Sequence, residues 1–332
     1  LALAACTGTI GQSDDGNSST SGDPPIEVAF APGEMTMHRL TTVQLQNRGR
    51  ALFGAPLVVP PDLPADDQLF GFSSISASGK TVSPLDAEKY EAASYAVIDQ
   101  VFGDHARREA LVGCAPESLG DACVRSFLAS FTERAWRRPV TAGEVDALVG
   151  LGAGIAQDLG SPWEGLRYTL AAVLQSPSFL FRVEVGEPDV ETGRTRFTSL
   201  EMASRLSFLL WDGLPDDPLL TLGESGALTD VAVVRAQAER MIEDPRARPA
   251  LTKFFRELML LVDIDSALSK DTAQFPQFTA TLGRSMRGEL ELLFQDVVFD
   301  QAGDFRKLLT TRETFVNAEL AAVYGLDGSF SD

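Results

Sequence analysis

The chain has 332 residues, of which 44% are hydrophobic, and this length and composition are typical of a globular protein with a sizeable core. No window approaches the roughly 18–20 uninterrupted apolar residues that span a bilayer, so we expect a body that does not cross a membrane. The formal net charge is −19, from 47 acidic and 28 basic residues. Such a field repels a phosphate backbone, which argues against nucleic acid as a partner.

The first element in chain order is a short apolar stretch, Leu3-Ala4-Ala5, that ends at Cys6. Small residues before a cysteine are typical of a bacterial lipoprotein signal, whose cysteine sulfur carries the lipid after cleavage. Residues 7–25 are rich in Gly, Ser, Thr, Asp and Asn, which predicts a flexible linker. We therefore expect residues 1–25 to be a signal remnant and tether, and the protein to be extracytoplasmic, held to a bacterial membrane through Cys6. A chance cysteine in a frayed terminus is the alternative.

Helix-start signals recur along the rest of the chain. Four capping boxes are predicted, beginning at Thr41, Thr141, Ser161 and Thr198. Proline follows Ser83 and Ser161, at the first helical position. Strand signals are sparse, and the best are residues 179–185 and 195–197. We predict a mainly α protein with little β, in which two or three small helical units pack together: 26–112, 113–188 and 189–332.

The cysteines give a prediction about compartment and cross-linking. Cys114 and Cys123 flank a loop with proline and glycine turn signals, and outside the cytoplasm such a pair is most simply a disulfide. Two free thiols or half of a metal site are the alternatives, but no Cys-x-x-Cys motif and no nearby histidine supports a metal. We predict a disulfide, and neither a metal ion nor a cofactor in this chain.

Arg134, Arg137 and Arg138 surround Trp136 just before Pro139. Cations near the end of a helix interact favourably with its dipole, which is the simpler interpretation. The alternative is an arginine fork that clamps an acidic neighbour or partner. We therefore mark the three arginines as a possible anion or partner contact.

Other polar patterns are weak signals. The glycines of residues 150–154 resemble a dinucleotide-binding loop but continue a helical pattern, so close helix packing is the simpler explanation. Four acidic groups are interpreted as salt bridges, helix caps or solvated faces: Glu201 with Arg205, Asp216-Asp217, Asp263 with Asp265, and Glu289 with Glu291. His38 and His105 belong to no motif, and no nucleophile elbow, Walker loop, zinc-protease or haem-attachment motif occurs. The catalytic residues, if any, are unknown, and the sequence favours a non-enzymatic role.

Three stretches of sequence carry a family resemblance. They are listed in chain order: Arg39-Leu40-Thr41 with Leu52-Phe53-Gly54; residues 131–141 with residues 176–184; and residues 203–211 with residues 314–326. They resemble the planctomycete and myxobacterial PSD-type domains of unknown function, which occur beside or fused to c-type cytochrome modules. The resemblance covers about residues 36–326 and implies an envelope protein with no established activity, so it carries over no site residue. Family members continue through two further domains; if activity lies there, this chain is support structure.

Two functions remain open. The first is a lipid-anchored scaffold or docking partner for an envelope c-type cytochrome complex, because an acidic surface suits a basic cytochrome. The second is an extracytoplasmic enzyme that binds or hydrolyses a polymer such as polysaccharide, using paired carboxylates and exposed aromatic side chains. A cleft that holds Trp136, Trp163 or Trp211 beside facing carboxylates would favour the second, and buried tryptophans would argue against it.

Overall fold

A computed structural model describes residues 37–330 except 55, 61, 191, 263, 265–269, 272 and 280. The predicted linker and the lipidation prediction at Cys6 lie outside the described residues. Of the described residues, 63% are helical and 4% lie in strands, which confirms the predicted fold class. Within the described ranges, no helix combines the length and the apolar character that crossing a bilayer requires.

The first half of the described chain is a series of helices closed by one strand pair. Its elements are β1 (Met37–Arg39), α1 (Thr42–Phe53), α2 (Ser73–Gly79), α3 (Pro84–Phe102), α4 (His105–Val112), α5 (Ala122–Trp136), α6 (Ala142–Leu159), α7 (Pro162–Gln175), α8 (Pro177–Leu180) and β2 (Phe181–Val183). β1 and β2 pair antiparallel, with His38 opposite Arg182. Sequence analysis missed β1 because three residues are too few to show a strand period.

The second half repeats this helical character around a small strand pair. Its elements are β3 (Glu187–Pro188), β4 (Thr195–Arg196), α9 (Ser199–Leu210), α10 (Asp217–Glu224), α11 (Val231–Glu243), α12 (Ala247–Leu258), α13 (Leu282–Gln295) and α14 (Ala318–Tyr324). At the start of α13, Thr279 Oγ1 accepts a hydrogen bond from the Leu282 N–H. The helix continues into a π-helical turn, Asp296–Asp300.

The predicted capping signals begin their helices. Thr41, Thr141 and Thr198 each form a reciprocal capping box with the residue three positions later. Ser161 accepts a hydrogen bond from the Glu164 N–H. These bonds satisfy backbone donors that the first turn of a helix leaves unpaired.

Three hydrophobic clusters hold the helices together. The largest unites α1, α3, α5 and α7 and includes the fully buried Leu128 and Leu166, so the first two predicted units share one core. The second surrounds Met241 between α9 and α11. In the third, Phe255 of α12 stacks on Phe294 of α13 with ring centroids 4.5 Å apart. Burial of these apolar faces is the main stabilising contribution to the fold.

Candidate functional site

A cleft of about 560 Å³ lies where α1, α2, β2, α9 and α12 meet. Side chains far apart in the sequence line it, among them Gln44 of α1, Arg182 of β2, Arg205 of α9 and Lys253 of α12. Concave sites that combine apolar walls with a few convergent polar groups are where ligands usually bind. We therefore take this cleft as the candidate functional site.

One wall of the cleft is apolar and reaches solvent. Phe72, just before α2, stacks on Phe254 of α12 with ring centroids 5.6 Å apart. Three large side chains that line the cleft stay exposed: Ile75 at 44%, Leu209 at 64% and Phe254 at 46%. We call these three residues the apolar rim. Clustered exposed hydrophobic side chains mark interaction sites, whereas single ones need no explanation.

Two buried carboxylates flank one ammonium group on the α12 side of the cleft; we call Asp212, Lys253 and Glu257 the acidic end. Lys253 Nζ lies 3.2 Å from Glu257 Oε1 and 3.8 Å from Asp212 Oδ2. Ser73 Oγ donates to Glu257 Oε1 at 2.5 Å, and Gln44 Nε2 donates to Asp212 Oδ1 at 2.8 Å. Buried carboxylates persist when cations and hydrogen-bond donors compensate their lost hydration. Here two carboxylates share one cation.

Asp212 adopts an unusual backbone conformation, with φ at +51°. The left-handed region costs a residue with a Cβ roughly 1–2 kcal/mol. Two contacts hold this geometry: the Trp211 indole N–H donates to the Met241 carbonyl at 2.9 Å, and Asn47 Nδ2 donates to the Asp212 carbonyl at 3.1 Å. Burial raises the pKa of the Asp212 carboxyl, opposed by Lys253 and Gln44. Strained backbone and perturbed titration occur together at functional sites.

Arg182 and Arg205 also line the cleft, and with Glu184 they form what we call the basic end. Glu184 is 3% exposed, lies 2.5 Å from Arg182 Nε and accepts a hydrogen bond from Arg205 Nη1 at 2.8 Å. His38 Nε2 lies 3.3 Å from the same carboxylate. Burial and the nearby Arg182 lower the pKa of His38 against the influence of Glu184. The acidic end therefore carries an excess of negative charge, and the basic end carries an excess of positive charge.

Of the three arginines singled out in the sequence, Arg137 lies deepest. It ends α5 in the left-handed conformation and donates to the carbonyl oxygens of Ala135, Ser178 and Phe181. Burial, with a smaller contribution from Arg182, lowers its pKa to about 9. Its contacts are therefore internal ones that tie α5 to α8 and β2.

Arg138 and Arg134 lie nearer the surface. Arg138 Nη2 donates to Glu144 Oε1 at 2.7 Å, and its guanidinium lies 5.0 Å from the centre of the Trp136 ring. Arg134 Nε lies 3.9 Å from Asp217 Oδ1, and both side chains are exposed. Arg137 and Arg138 line one cavity of about 280 Å³ together with Trp136, whereas Arg134 does not line it. Contact of the arginines with an external anion or partner stays a prediction.

The predicted disulfide is present. Cys114 and Cys123 are bonded, with an S–S distance of 2.04 Å and a Cα–Cα distance of 6.6 Å. The bond closes the loop between α4 and α5. Structural disulfides persist in oxidising compartments, so this bond fits an extracytoplasmic protein.

The glycines of residues 150–154 lie inside α6 without interrupting it, as the packing interpretation predicted. A Cβ on Gly165 of α7 would stand 2.4 Å from the Gly152 carbonyl oxygen, and one on Gly152 would stand 2.5 Å from Thr169 Oγ1. The two helices approach too closely for side chains at either position.

The acidic side chains singled out in the sequence make hydrogen bonds and ion pairs inside the protein. Glu201 accepts hydrogen bonds from two backbone N–H groups just before β3, and Asp216 caps α10 while Arg240 donates to both its oxygens. Asp263 and Asp265 lie outside the described residues. Among the residues that the structure describes, no three His, Cys, Asp or Glu side chains are grouped to hold a metal ion.

Sequence reasoning missed the acidic end. Gln44 and Asp212 are 168 positions apart, and Ser73 and Glu257 are 184 apart, so no local pattern brings them together. One signal was available: the stretch 203–211 that carries the family resemblance ends directly before Asp212.

Fold and site together define a disulfide-containing, mainly helical protein whose consecutive segments meet at a charged cleft with an apolar rim. Three family models match the chain in order: PSD3, a protein of unknown function (DUF1587), over residues 38–103; PSD5 (DUF1595) over 123–184; and PSD4 (DUF1592) over 197–326. The chain therefore contains three domains known as planctomycete cytochrome-associated PSD domains, which confirms the resemblance. No curated protein and no solved structure matches it.

All three matched segments contribute to the cleft. The first provides Gln44 and Ile75, the second provides Arg182, and the third provides Asp212 and Lys253. The lining of the candidate site therefore comes from all three domains.

Proposed function

We propose that this chain is a lipid-anchored, extracytoplasmic docking protein of a bacterial cell envelope, and that its partner is a basic c-type cytochrome module. The apolar rim carries the proposal, because exposed hydrophobic side chains at a cavity mouth leave water when a partner covers them. The lipid-signal pattern at Cys6 and the disulfide support the location. The family's association with cytochromes supports the choice of partner.

Charge supports a basic partner. The chain carries a net charge of −19, and residues 212–244, which begin at the acidic end, include eight acidic and two basic side chains. Five of these acids are exposed: Asp217, Glu224, Asp230, Glu239 and Glu243. Complementary charge steers association and makes it sensitive to salt, because exposed charges are screened within about 8–10 Å at physiological ionic strength.

The first experiment is a visible absorption spectrum of the full-length protein, purified gently from its native envelope, before and after dithionite. A reduced c-haem band that accompanies the protein at low salt and is lost at high salt is the expected result. A colourless preparation at low salt rejects the cytochrome as partner.

A pair of matched variants locates the contact. Leu209→Asp places a charge in the apolar rim near the end of α9, whereas Leu159→Asp places one at the end of α6, where the leucine is 54% exposed and does not line the cleft. We expect the first variant to lose the cytochrome and the second to retain it, with equal helicity by circular dichroism. Equal retention in both would exclude the rim as the docking surface.

The polymer-binding alternative depended on exposed tryptophans. Trp211 is 4% exposed. Trp163 packs edge-on against Phe102 under the Arg108 guanidinium, 4.7 Å from its ring centre. Trp136 is half-buried and lines a cavity of about 280 Å³ that holds one carboxylate, that of Glu201. Because the polymer-binding alternative requires a facing pair of carboxylates, docking is the function that we retain.

A further inference from the structure

The acidic end already binds one alkylammonium group, that of Lys253. This ammonium ends a four-carbon chain and lies within 4 Å of two carboxylates that are 7% and 5% exposed. The geometry therefore displays the chemistry that the site recognises: a compact cation on a flexible aliphatic stem between two buried acids.

Asp212 has binding capacity that Lys253 does not use. Its Oδ1 accepts the Gln44 hydrogen bond, but its Oδ2 is shielded from solvent and accepts no hydrogen bond from the described residues. The 3.8 Å between Lys253 Nζ and this oxygen exceeds hydrogen-bond length. A buried carboxylate oxygen left without a donor is costly, so a second donor at this position would stabilise the protein.

We infer that the acidic end binds the primary ammonium group of an aliphatic amine, donated to Asp212 and Glu257, while the apolar rim takes the carbon chain. The Lys253 side chain is 21% exposed and lies within hydrogen-bond distance of Glu257. The ligand ammonium reaches Asp212 Oδ2 as the Lys253 stem moves toward solvent. The amine is either a free small molecule or a lysine side chain of another protein; both present the same group.

The other charges around the cleft leave this end suited to a cation. Arg182 and Arg205 line the same cavity, but both pair with Glu184 at the basic end. The side chains that face the two acids from neighbouring elements are Gln44 of α1, Ser73 of α2 and Lys253 of α12. Lys253 is therefore the group with which the ligand competes.

This competition gives a test in the full-length chain. Lys253→Ala removes the internal ammonium and lowers the melting temperature; n-butylammonium chloride should then restore at least half of the loss. Matched n-butanol and sodium chloride should not restore it.

The double variant Lys253→Ala with Asp212→Asn should bind n-butylammonium about tenfold more weakly, because a charge-assisted hydrogen bond is lost. Asp217→Asn in the same background, an exposed acid outside the cleft, should leave rescue unchanged.

Wild-type protein provides a readout that does not depend on the folding of any variant. Titration with n-hexylammonium, followed by NMR shifts of the Phe254 ring, should saturate, and n-hexanol should bind about tenfold more weakly. An acetylated and amidated Leu-Lys-Leu peptide distinguishes the sources: tighter binding of the peptide assigns the site to a lysine of a partner, and tighter binding of hexylammonium assigns it to a free amine.

Three results would overturn the inference. They are equal effects of amine and alcohol, rescue that survives Asp212→Asn unchanged, and absence of binding by both amine and peptide. The inference is independent of the docking role, because the amine is tested without any cytochrome.

Discussion

Arg48 of α1 and Arg137 at the end of α5 donate to the same acceptor, the backbone carbonyl oxygen of Ala135, at 2.6 Å and 3.2 Å. Both side chains are buried, and Arg48 also donates to the Phe179 carbonyl. Burial, with repulsion from Arg137, lowers the pKa of Arg48 well below its ordinary value. Backbone carbonyl dipoles and the Phe179 ring, 3.9 Å from the Arg48 guanidinium, compensate this charge. The first two matched domains are therefore joined through one shared carbonyl.

Arg48→Ala should lower the free energy of unfolding by about 2–4 kcal/mol, because the buried carbonyls of Ala135 and Phe179 lose charged donors. Arg50→Ala changes an exposed arginine on the same helix and should cost less than about 0.5 kcal/mol. Chemical denaturation of the two variants beside wild type provides the measurement. Similar effects at both positions would show that the shared carbonyl contributes nothing specific.

The contact between α6 and α7 predicts that glycine-to-alanine substitutions at two positions change the stability of the protein in opposite directions. Gly165→Ala should destabilise by about 1–3 kcal/mol, because its Cβ meets the backbone of Gly152, which cannot move aside as a flexible side chain can. Gly154→Ala, with nothing within 4 Å of its Cβ, should stabilise by about 0.5–1 kcal/mol. Thermal unfolding of both variants decides the point. A Gly165→Ala protein as stable as wild type would contradict the close helix approach.

The disulfide predicts a loss of stability on removal. Cys114→Ser with Cys123→Ser opens a loop with a sequence separation of 9, which should lower the free energy of unfolding by about 2–3 kcal/mol in the chain-entropy model. Wild type kept reduced by dithiothreitol serves as the matched control and should show a similar loss. A double variant as stable as the oxidised wild type would rule out a stabilising role.

The hydrogen bonds of Glu144 predict that the protein loses part of its stability in acid. Hydrogen bonds from Arg138 and from the Thr141 N–H lower its pKa from 4.5 to about 2. Because the folded-state pKa lies below the unfolded one, the stabilisation is complete above about pH 4.5 and is lost as pH falls toward 2. Glu144→Gln should cost about 0.5–1 kcal/mol at pH 7, a modest value for a partly exposed pair, and flatten the stability curve between those pH values. Glu88→Gln, at an exposed position of α3, should change neither.

The sequence predicts structural features that depend on residues a few positions apart. It does not predict contacts between residues that are far apart along the chain. The Thr41 cap depends on Gln44, three positions later, so its signal is local. The acidic end depends on Gln44 meeting Asp212 and on Ser73 meeting Glu257, and these contacts arise from helix packing that no period in one segment describes. β1 also escapes prediction, because it is too short to show a strand period and because its partner β2 lies far away in the sequence.

The ladder between β1 and β2 has a mechanical consequence. Force applied at Met37 meets this ladder first among the described residues, along with the hydrogen bond from the Leu40 N–H to the Leu180 carbonyl, 3.1 Å long. The ladder's hydrogen bonds run perpendicular to the strands, so a pull parallel to β1 loads them together in shear. His38 and Arg182, which face each other across it, stand beside the Glu184 carboxylate. Tension from the proposed membrane tether, transmitted to Met37, would therefore reach the basic end of the cleft before it reaches any described helix.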